Sequence, residues 1–535
     1  MVLAPDAGRV LSGHTHPFAG LDVRTVLEAR AAQRPDHPFV VWEPFEGEGA
    51  SYSYAAFLDA ARRFAAGLKA RGVAQGESVL LHLDNCPEIL IGWYGCALYG
   101  AVAVTTNTRS AGPEIAYFAE NCGARIAVTQ PSYATLVKES CPGLVELVVT
   151  DHNAGAAAPG PEGATPFVEF LGASSDCPDR PADPMAPVGV QYTSGTTSRP
   201  KGVVWTHANA LWGAKVCAVQ EGLTSQDVHL VHLPLFHTNA QSYSVLASLW
   251  AGGTAVIQPR FSASRFWDVS LKHGCTFTSM IPFCNKALAG LPVPDGHSYT
   301  RMGNGIANFP TDPLFGVTTI GWWGMTETIT HGIVSDPGID TPFMHIGRAS
   351  LYYEIVVEDE DGNPVQPGGA GALKVGGVRG LSLFLEYLNN EEATRNAFDE
   401  QGLFITGDRV VVHEGGTIQF ADRDKDMLKV GGENVAASEV EAVILEALPG
   451  AEVAVVAKPD EMLDEVPVAF VLPPVPVAPG SDEEAALIET VQAACRAGLA
   501  DFKVPRAIVM VDELPRATLN KIAKAELRTR AAALG

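Results

Sequence analysis

The first 130 residues constrain the fold more than any single motif does. Amphipathic helical segments at 24–33 and 54–71 are followed by an uncharged strand-like run at 78–83, Ser-Val-Leu-Leu-His-Leu. A helical segment at 88–99 then leads into a strand at 101–105, a helix at 115–120 and a strand at 125–129. Strands that carry apolar side chains in an unbroken run are buried on both faces, and the helices between them supply the cover. The pattern therefore predicts parallel sheets sandwiched by helices, an α/β architecture.

The chain has 535 residues, more than one hydrophobic core usually supports, so two or more domains are expected. Residues 154–187, rich in Ala, Gly, Pro and Asp, read as a surface excursion. From 347 to 420 the texture changes to short β-rich runs, such as 353–358 and 371–375, separated by Asp-Gly and Pro-Gly turns, which predicts a small β-subdomain. The charged break Asp422-Arg-Asp-Lys-Asp426 has no hydrophobic anchor. The α+β pattern after it spans about a hundred residues, enough to fold alone. The predicted division is a domain at 1–422, a hinge at 423–426 and a second domain at 427–535.

Net charge is −24, which opposes nonspecific binding to nucleic acid or to an anionic membrane surface. Residues 89–108 carry no charge and approach the length of a membrane span, but Gly92, Gly95 and Gly100 interrupt them. A buried helix running into a buried strand is the better reading, so no span is expected. The start lacks an apolar core of signal-peptide length. The nine cysteines, scattered from Cys86 to Cys495 without a Cys-x-x-Cys pair, read as reduced thiols of a cytoplasmic protein.

Tyr192-Thr-Ser-Gly-Thr-Thr-Ser-Arg-Pro-Lys-Gly202 holds five Ser/Thr hydroxyls, two glycines and a Lys. Glycines let a backbone approach an anion, and successive N–H groups form an anion-binding concavity. Thr193, Ser194, Thr196, Thr197 and Ser198 add donors around Gly195, and Lys201 adds charge. A Walker loop needs Gly before the Lys and Ser or Thr after it, whereas Pro200 and Gly202 stand there. Read alone, the stretch could equally be a polar connector.

Further landmarks follow in order: Pro234-Leu-Phe-His237, Gly321-Trp-Trp-Gly-Met-Thr-Glu-Thr328 after a strand at 316–320, Ile405-Thr-Gly-Asp-Arg409, the 422–435 segment with Gly431-Gly432, and Pro515-Arg-Ala-Thr-Leu-Asn-Lys-Ile-Ala-Lys524. Together they resemble the adenylate-forming superfamily of acyl-CoA synthetases, luciferases and peptide-synthetase adenylation domains. The resemblance runs from about residue 25 to 530, and its texture is nearest to free-standing acyl-CoA ligases. It implies a large N-terminal domain of two parallel-sheet α/β subdomains plus a small β-barrel-like subdomain, followed by a small mobile α+β C-terminal domain.

The implied reaction joins a carboxylic acid to ATP, giving an acyl-adenylate and pyrophosphate. The adenylate then passes its acyl group to CoA with release of AMP. Activation is thereby divided into two easier steps. Two anions meet in the first step, so positive charge must be positioned between them. The resemblance gives that role to Lys521. It makes Glu327 the protein ligand of Mg²⁺ and Thr326 an α-phosphate contact. Trp323 stacks on adenine, Asp408 binds the ribose hydroxyls and Arg423 contacts ribose or phosphate. Phe236 and His237 border the acid, with Asn304 and Gly305 in the same pocket. Lys425 marks the hinge, and Gly431 and Gly432 line the pantetheine tunnel. Each residue has a plainer reading: a solvated Lys521, a helix-capping Glu327, a core Trp323, a core His237, a turn Asp408, and a hairpin at Gly431-Gly432.

Three departures stand out. Ser198 and Asn520 replace glycines, and the stretch from Gly303 to Trp323 is short by about two helical turns. Two other functions stay open at this level: adenylation with transfer to a separate carrier protein or partner enzyme, and an inactive nucleotide-binding regulator. The identity of the acid is not legible, and a homodimer is the default assembly.

Overall fold

A computed structural model of the chain describes residues 7–10, 15–193, 199–342, 345–359, 361–423, 427–515, 522 and 524–534. These fall into two compact units. The first runs to Asp422. The second comprises Arg423–Gly535 together with Arg109–Tyr117 and Thr193–Lys201.

In the first unit the expected alternation appears with its ends shifted by a few residues. Helices Val23–Gln33, Tyr54–Ala70 and Pro87–Tyr99, with helix Gly112–Cys122, whose Gly112–Tyr117 portion is grouped with the second unit, alternate with strands Ser78–His82, Val102–Thr105 and Ile126–Thr129. Asp22 caps the first helix by accepting the Thr25 N–H, and Ser53 caps the second through Ala56. The uncharged stretch at 89–108 is the buried helix Pro87–Tyr99, ended by Gly100 at φ +93 and continued as the buried strand Val102–Thr105. No described helix is long and apolar enough to cross a membrane.

The strands build an eight-stranded sheet in the order 386–387, 201–206, 187–193, 102–105, 78–82, 126–129, 146–149, 165–166. From Pro187–Thr193 to Thr165–Pro166 its neighbours pair in parallel. A second sheet orders 277–278, 228–231, 254–257, 38–42 and 50–53, parallel except for the last pair. A third sheet of eight strands starts with Arg301–Asn304 parallel to Thr318–Trp323 and continues in antiparallel pairings through the β-rich region at 345–423.

Two local expectations change. The 154–187 stretch is only partly a surface excursion. Thr165–Pro166 extends the first sheet, and Phe170 is buried with its ring 5.0 Å from that of Phe64. Scattered small residues concealed two aromatic anchors, Phe167 and Phe170. The strand expected at 316–320 is Thr318–Trp323, because Gly316 at φ +65 first closes a single helical turn, Asp312–Phe315.

In the second unit, strands Glu452–Asp460 and Asp464–Leu472 form an antiparallel pair, and Ala507–Met510 joins the latter in parallel. Val453 and Val455 pack with Val440, Ile444 and Val491 on one face, while Ala454 and Val456 pack with Leu527 and Ala531 on the other. Helices cover both faces, which is why this strand reads as a continuous apolar run.

Candidate active site

Strand Pro187–Thr193 lies inside the first sheet and ends at the predicted phosphate loop. Ligands of open α/β sheets bind beyond such carboxyl ends. Thr193 Oγ1 donates to the Lys201 carbonyl at 3.5 Å, which ties the two stems of the loop. Ser194, Gly195, Thr196, Thr197 and Ser198 lie outside the described residues, as do Lys425, Asn520 and Lys521. Arg423 ends strand Ile418–Arg423.

Buried Asn85 fixes the turn that carries His237. Its Oδ1 accepts the Leu235 N–H at 2.7 Å, and its Nδ2 donates to the Leu233 and Gln258 carbonyls at 2.8 and 3.1 Å. The half-buried His237 ring lies 4.6 Å from that of Phe236, centroid to centroid. The next residue, Thr238, donates from Oγ1 to Gln191 Oε1 at 2.8 Å and lies 3.1 Å from Thr326 Oγ1. Three sequence landmarks, the strand before the phosphate loop, the 234–237 turn and the Thr326-Glu327 pair, thus meet in one hydrogen-bonded chain. After Thr238 the chain winds as a π-helix over Asn239–Leu246, with the Ala247 N–H reaching Ser242 O five residues back. Such wide turns are rare and occur often at functional sites.

Trp205 Nε1 donates to the Thr326 carbonyl at 2.9 Å. Glu327 is only 5% exposed, and Tyr387 donates its hydroxyl to Glu327 Oε1 at 2.9 Å. Burial, and next the Glu327 charge, push the Tyr387 hydroxyl well above the usual phenol range, so it stays a donor. Trp323 Nε1 donates to Asp408 Oδ2 at 2.8 Å, and both residues are buried. Gly332 closes one side of the Trp323 indole, since a Cβ there would lie 3.0 Å from Cζ3. The structure therefore assembles Trp323, Thr326, Glu327, Asp408 and, through Thr238, the His237 turn.

Other predicted residues have their own local settings. Asn304 Nδ2 donates to Asn285 Oδ1 at 2.8 Å, and its own Oδ1 accepts the Gly305 N–H at 2.7 Å. Gly431 and Gly432, at φ +58 and +85, form the two-residue turn between Met427–Val430 and Glu433–Ala436. That is the left-handed pair a tight hairpin requires.

Sequence reasoning missed Gln191, Thr238, Asn85 and Tyr387. Gln191 and Thr238 sit beside quoted motifs and Asn85 just after the strand-like run at 78–83, whereas Tyr387 meets Glu327 across 60 positions, where no local spacing could flag it. It also missed the strain that follows Glu327. Ile329, fully buried, stands at φ +62, a conformation that costs a β-branched residue about 1–3 kcal/mol. The loop is held there by Met325 N–H on Thr328 Oγ1 at 2.8 Å, by Thr328 Oγ1 on the Thr330 carbonyl at 3.0 Å, and by Tyr353 OH on the Thr328 carbonyl.

A family model described as AMP-binding enzyme matches residues 27–388, and one described as AMP-binding enzyme C-terminal domain matches 439–521. A crotonobetaine/carnitine–CoA ligase of Proteus mirabilis is 32% identical over 507 residues, covering 91% of this chain and 95% of that protein. The Escherichia coli ligase of the same name is 32% identical over 492 residues, covering 89% and 93%. Among solved structures, o-succinylbenzoate CoA synthetase from Bacillus subtilis superposes with a TM-score of 0.77 at 25% identity, covering 95% of this chain and 98% of the other. An anthranilate CoA ligase in complex with anthranoyl-AMP gives 0.70 at 26% identity, covering 97% and 99%.

Proposed function

We propose how this chain, which belongs to the AMP-binding enzyme family and is an AMP-forming acid:CoA ligase using ATP, Mg²⁺ and CoA, divides its reaction among its residues. The supporting observation is the Gln191–Thr238–Thr326 chain. It locks the stem of the phosphate loop, the acid turn and the Thr326-Glu327 pair into one register, so that two anionic reactants can be held in line.

In this reading Asp408 accepts from the ribose hydroxyls, oriented by the indole N–H of Trp323, and that indole stacks on adenine. Thr326 contacts the α-phosphate, with its carbonyl held by Trp205 and its hydroxyl by Thr238. The loop residues Thr193 to Thr197 and Lys201 hold the departing phosphates. Glu327 fits a hard divalent cation: it is a buried carboxylate whose orientation Tyr387 already fixes. Bound there, Mg²⁺ would offset the charge of the phosphates. Lys521 stands between the acid carboxylate and the α-phosphate during adenylation, where it stabilises the charge of the transition state. Residues 423–426, with Lys425, act as the hinge between domains 1–422 and 427–535. Hinge motion then withdraws Lys521 and brings Gly431-Gly432 to the pantetheine arm. Arg423 contacts the nucleotide from the hinge.

The acid is compact. The names of the crotonobetaine/carnitine ligases support a small substrate. The nine free cysteines support the reducing cytoplasm as compartment.

Two half-reactions test the assignment. Lys521→Ala should abolish acid-dependent pyrophosphate exchange and spare thioester formation from synthetic acyl-adenylate; an equal fall in both would reject its role. Gly432→Leu would strain the left-handed turn as well as fill a tunnel, so Gly432→Asn, which tolerates that geometry, is its control. Asn fills nearly the same space as Leu without that strain, so thioester formation should fall with both, and activity that persists with Asn would reject the tunnel assignment. A pyrophosphate-release screen over acids of increasing length tests compactness, and highest activity with long-chain acids would overturn it.

A further inference from the structure

The first unit contains a second cluster of chemically active side chains that the ligase reaction does not use. Cys217 and Glu221 stand at the end of helix His207–Gln220, four residues apart and so on one face. His331 comes from the loop that follows Glu327. One donor atom from each of the three lies within 4.8 Å of the others, and all three side chains are buried.

The cluster holds acceptors that nothing else satisfies. Both carboxylate oxygens of Glu221 and Nε2 of His331 are buried without a hydrogen-bond partner. His331 Nε2 lies 3.8 Å from Glu221 Oε1. The other ring nitrogen, Nδ1, lies 3.2 Å from Gln220 Oε1. Gln220 Nε2 donates to Ser350 Oγ at 2.5 Å, which leaves Oε1 to accept from Nδ1. The proton therefore sits on Nδ1, and the Nε2 lone pair faces Glu221. This is the outer hydrogen bond that orients a metal-ligating histidine. The surroundings are aromatic: Trp322 stacks on the imidazole at 4.4 Å, and Tyr243 meets it edge-on at 4.2 Å. Cys217 Sγ lies 2.7 Å from Thr330 Oγ1. Burial pushes both the Cys217 thiol and the Glu221 carboxyl well above their ordinary values, so neither ionises there without a cation.

From this arrangement we infer that Cys217, Glu221 and His331 form a structural binding site for one borderline-soft divalent cation, zinc by the chemistry of its donors. A thiolate, a carboxylate and a neutral imidazole are zinc ligands, whereas magnesium avoids sulfur. Two anionic donors cancel the charge of the ion, which leaves the buried site neutral. Binding displaces the protons of the Cys217 thiol and the Glu221 carboxyl into solvent. Tetrahedral bond lengths need the three donors to draw in by about an ångström. The ion clamps the end of helix His207–Gln220 to the far end of the strained loop that begins at Glu327 and passes through Ile329. Enclosed as it is, the site loads during folding.

The test uses the full chain, produced without a metal-affinity tag in zinc-replete medium and dialysed against chelator. Elemental analysis should find about one zinc per chain, released only on unfolding, and below about a tenth of that in Cys217→Ser and His331→Gln. Refolding the wild-type chain with cobalt(II) should give a thiolate-to-cobalt charge-transfer band, which keeps the proposal testable if the variants fail to fold. Three results would overturn it: a folded wild-type chain with neither zinc nor that band, zinc retained undiminished in folded variants, or a cobalt spectrum without sulfur character. The first would mean that the three groups share protons instead.

Discussion

Two buried glutamates of the first unit stand a few residues from opposite ends of one story. Glu327 opens the strained loop and Glu221 faces its far side at His331. Glu327 is held by a Tyr387 hydroxyl that burial keeps protonated, within a network that runs from Trp205 through Thr326 and Thr238 to Gln191. Glu221 has neither oxygen satisfied. Burying a polar group costs free energy unless it finds a partner. On the proposed reading, the first carboxylate is pre-oriented for a cation that comes and goes with the nucleotide, and the second receives a cation that stays.

The largest break in this comparison comes from Glu327→Gln. It keeps the shape and the Tyr387 contact but removes the charge, so pyrophosphate exchange should fall about 10²–10³-fold with little change in melting temperature. Unchanged exchange would mean that Glu327 only shapes the loop. Next, Thr238→Val removes the donor to Gln191 and leaves buried acceptors behind. Urea unfolding should show a loss of about 1–3 kcal/mol, and KM for the acid should rise; a stability unchanged within error would dissolve the network argument.

A third experiment reads pH dependence in chain refolded without divalent cations. His331 is lowered from 6.5 to about 3 by burial, so only the unfolded state binds its proton in that window. Stability is lost as pH falls from 6.5 toward 3, and His331→Gln should flatten that limb. Glu221 has the opposite sign. Its raised folded value keeps a proton that the unfolded state releases above about 4.5, so stability declines as pH rises beyond that point. Glu221→Gln should remove that decline, worth up to about 1.4 kcal/mol per pH unit. Urea midpoints across pH 4–9 measure both limbs, and parallel curves for wild type and Glu221→Gln would contradict the buried-carboxyl account. The smallest effect is expected of Tyr387→Phe, which removes one hydroxyl from Glu327 and should slow exchange by less than about tenfold; a loss as large as that of Glu327→Gln would give Tyr387 a direct role.

What the chain disclosed beforehand follows the range of the interactions. Apolar runs reveal a strand covered on both faces, which is why Ser78–His82 and Val102–Thr105 were readable to within a residue or two. Motif order singled out Trp323, Thr326, Glu327 and Asp408 as candidates, because each sits in a short pattern. Tyr387 was invisible: its neighbours Phe384 and Leu385 mark it as core, and its hydroxyl meets Glu327 only through the third dimension. The positive φ of Ile329 was equally hidden, since that conformation is imposed by the hydrogen bonds of Thr328 and Tyr353 against the preference of the residue. Cys217 and Glu221 could have been seen as a one-face pair, but nothing nearby announces His331, 110 positions downstream of Glu221.

The indole of Trp323 carries one more consequence. Its N–H rests on the carboxylate assigned to the ribose, so a sugar hydroxyl arriving at Asp408 changes the polarity felt by the excited ring. The emission of that one side chain, isolated from the other seven tryptophans by subtracting the spectrum of Trp323→Phe, becomes a built-in optical gauge of nucleotide occupancy. Turnover could then be followed in real time without any label.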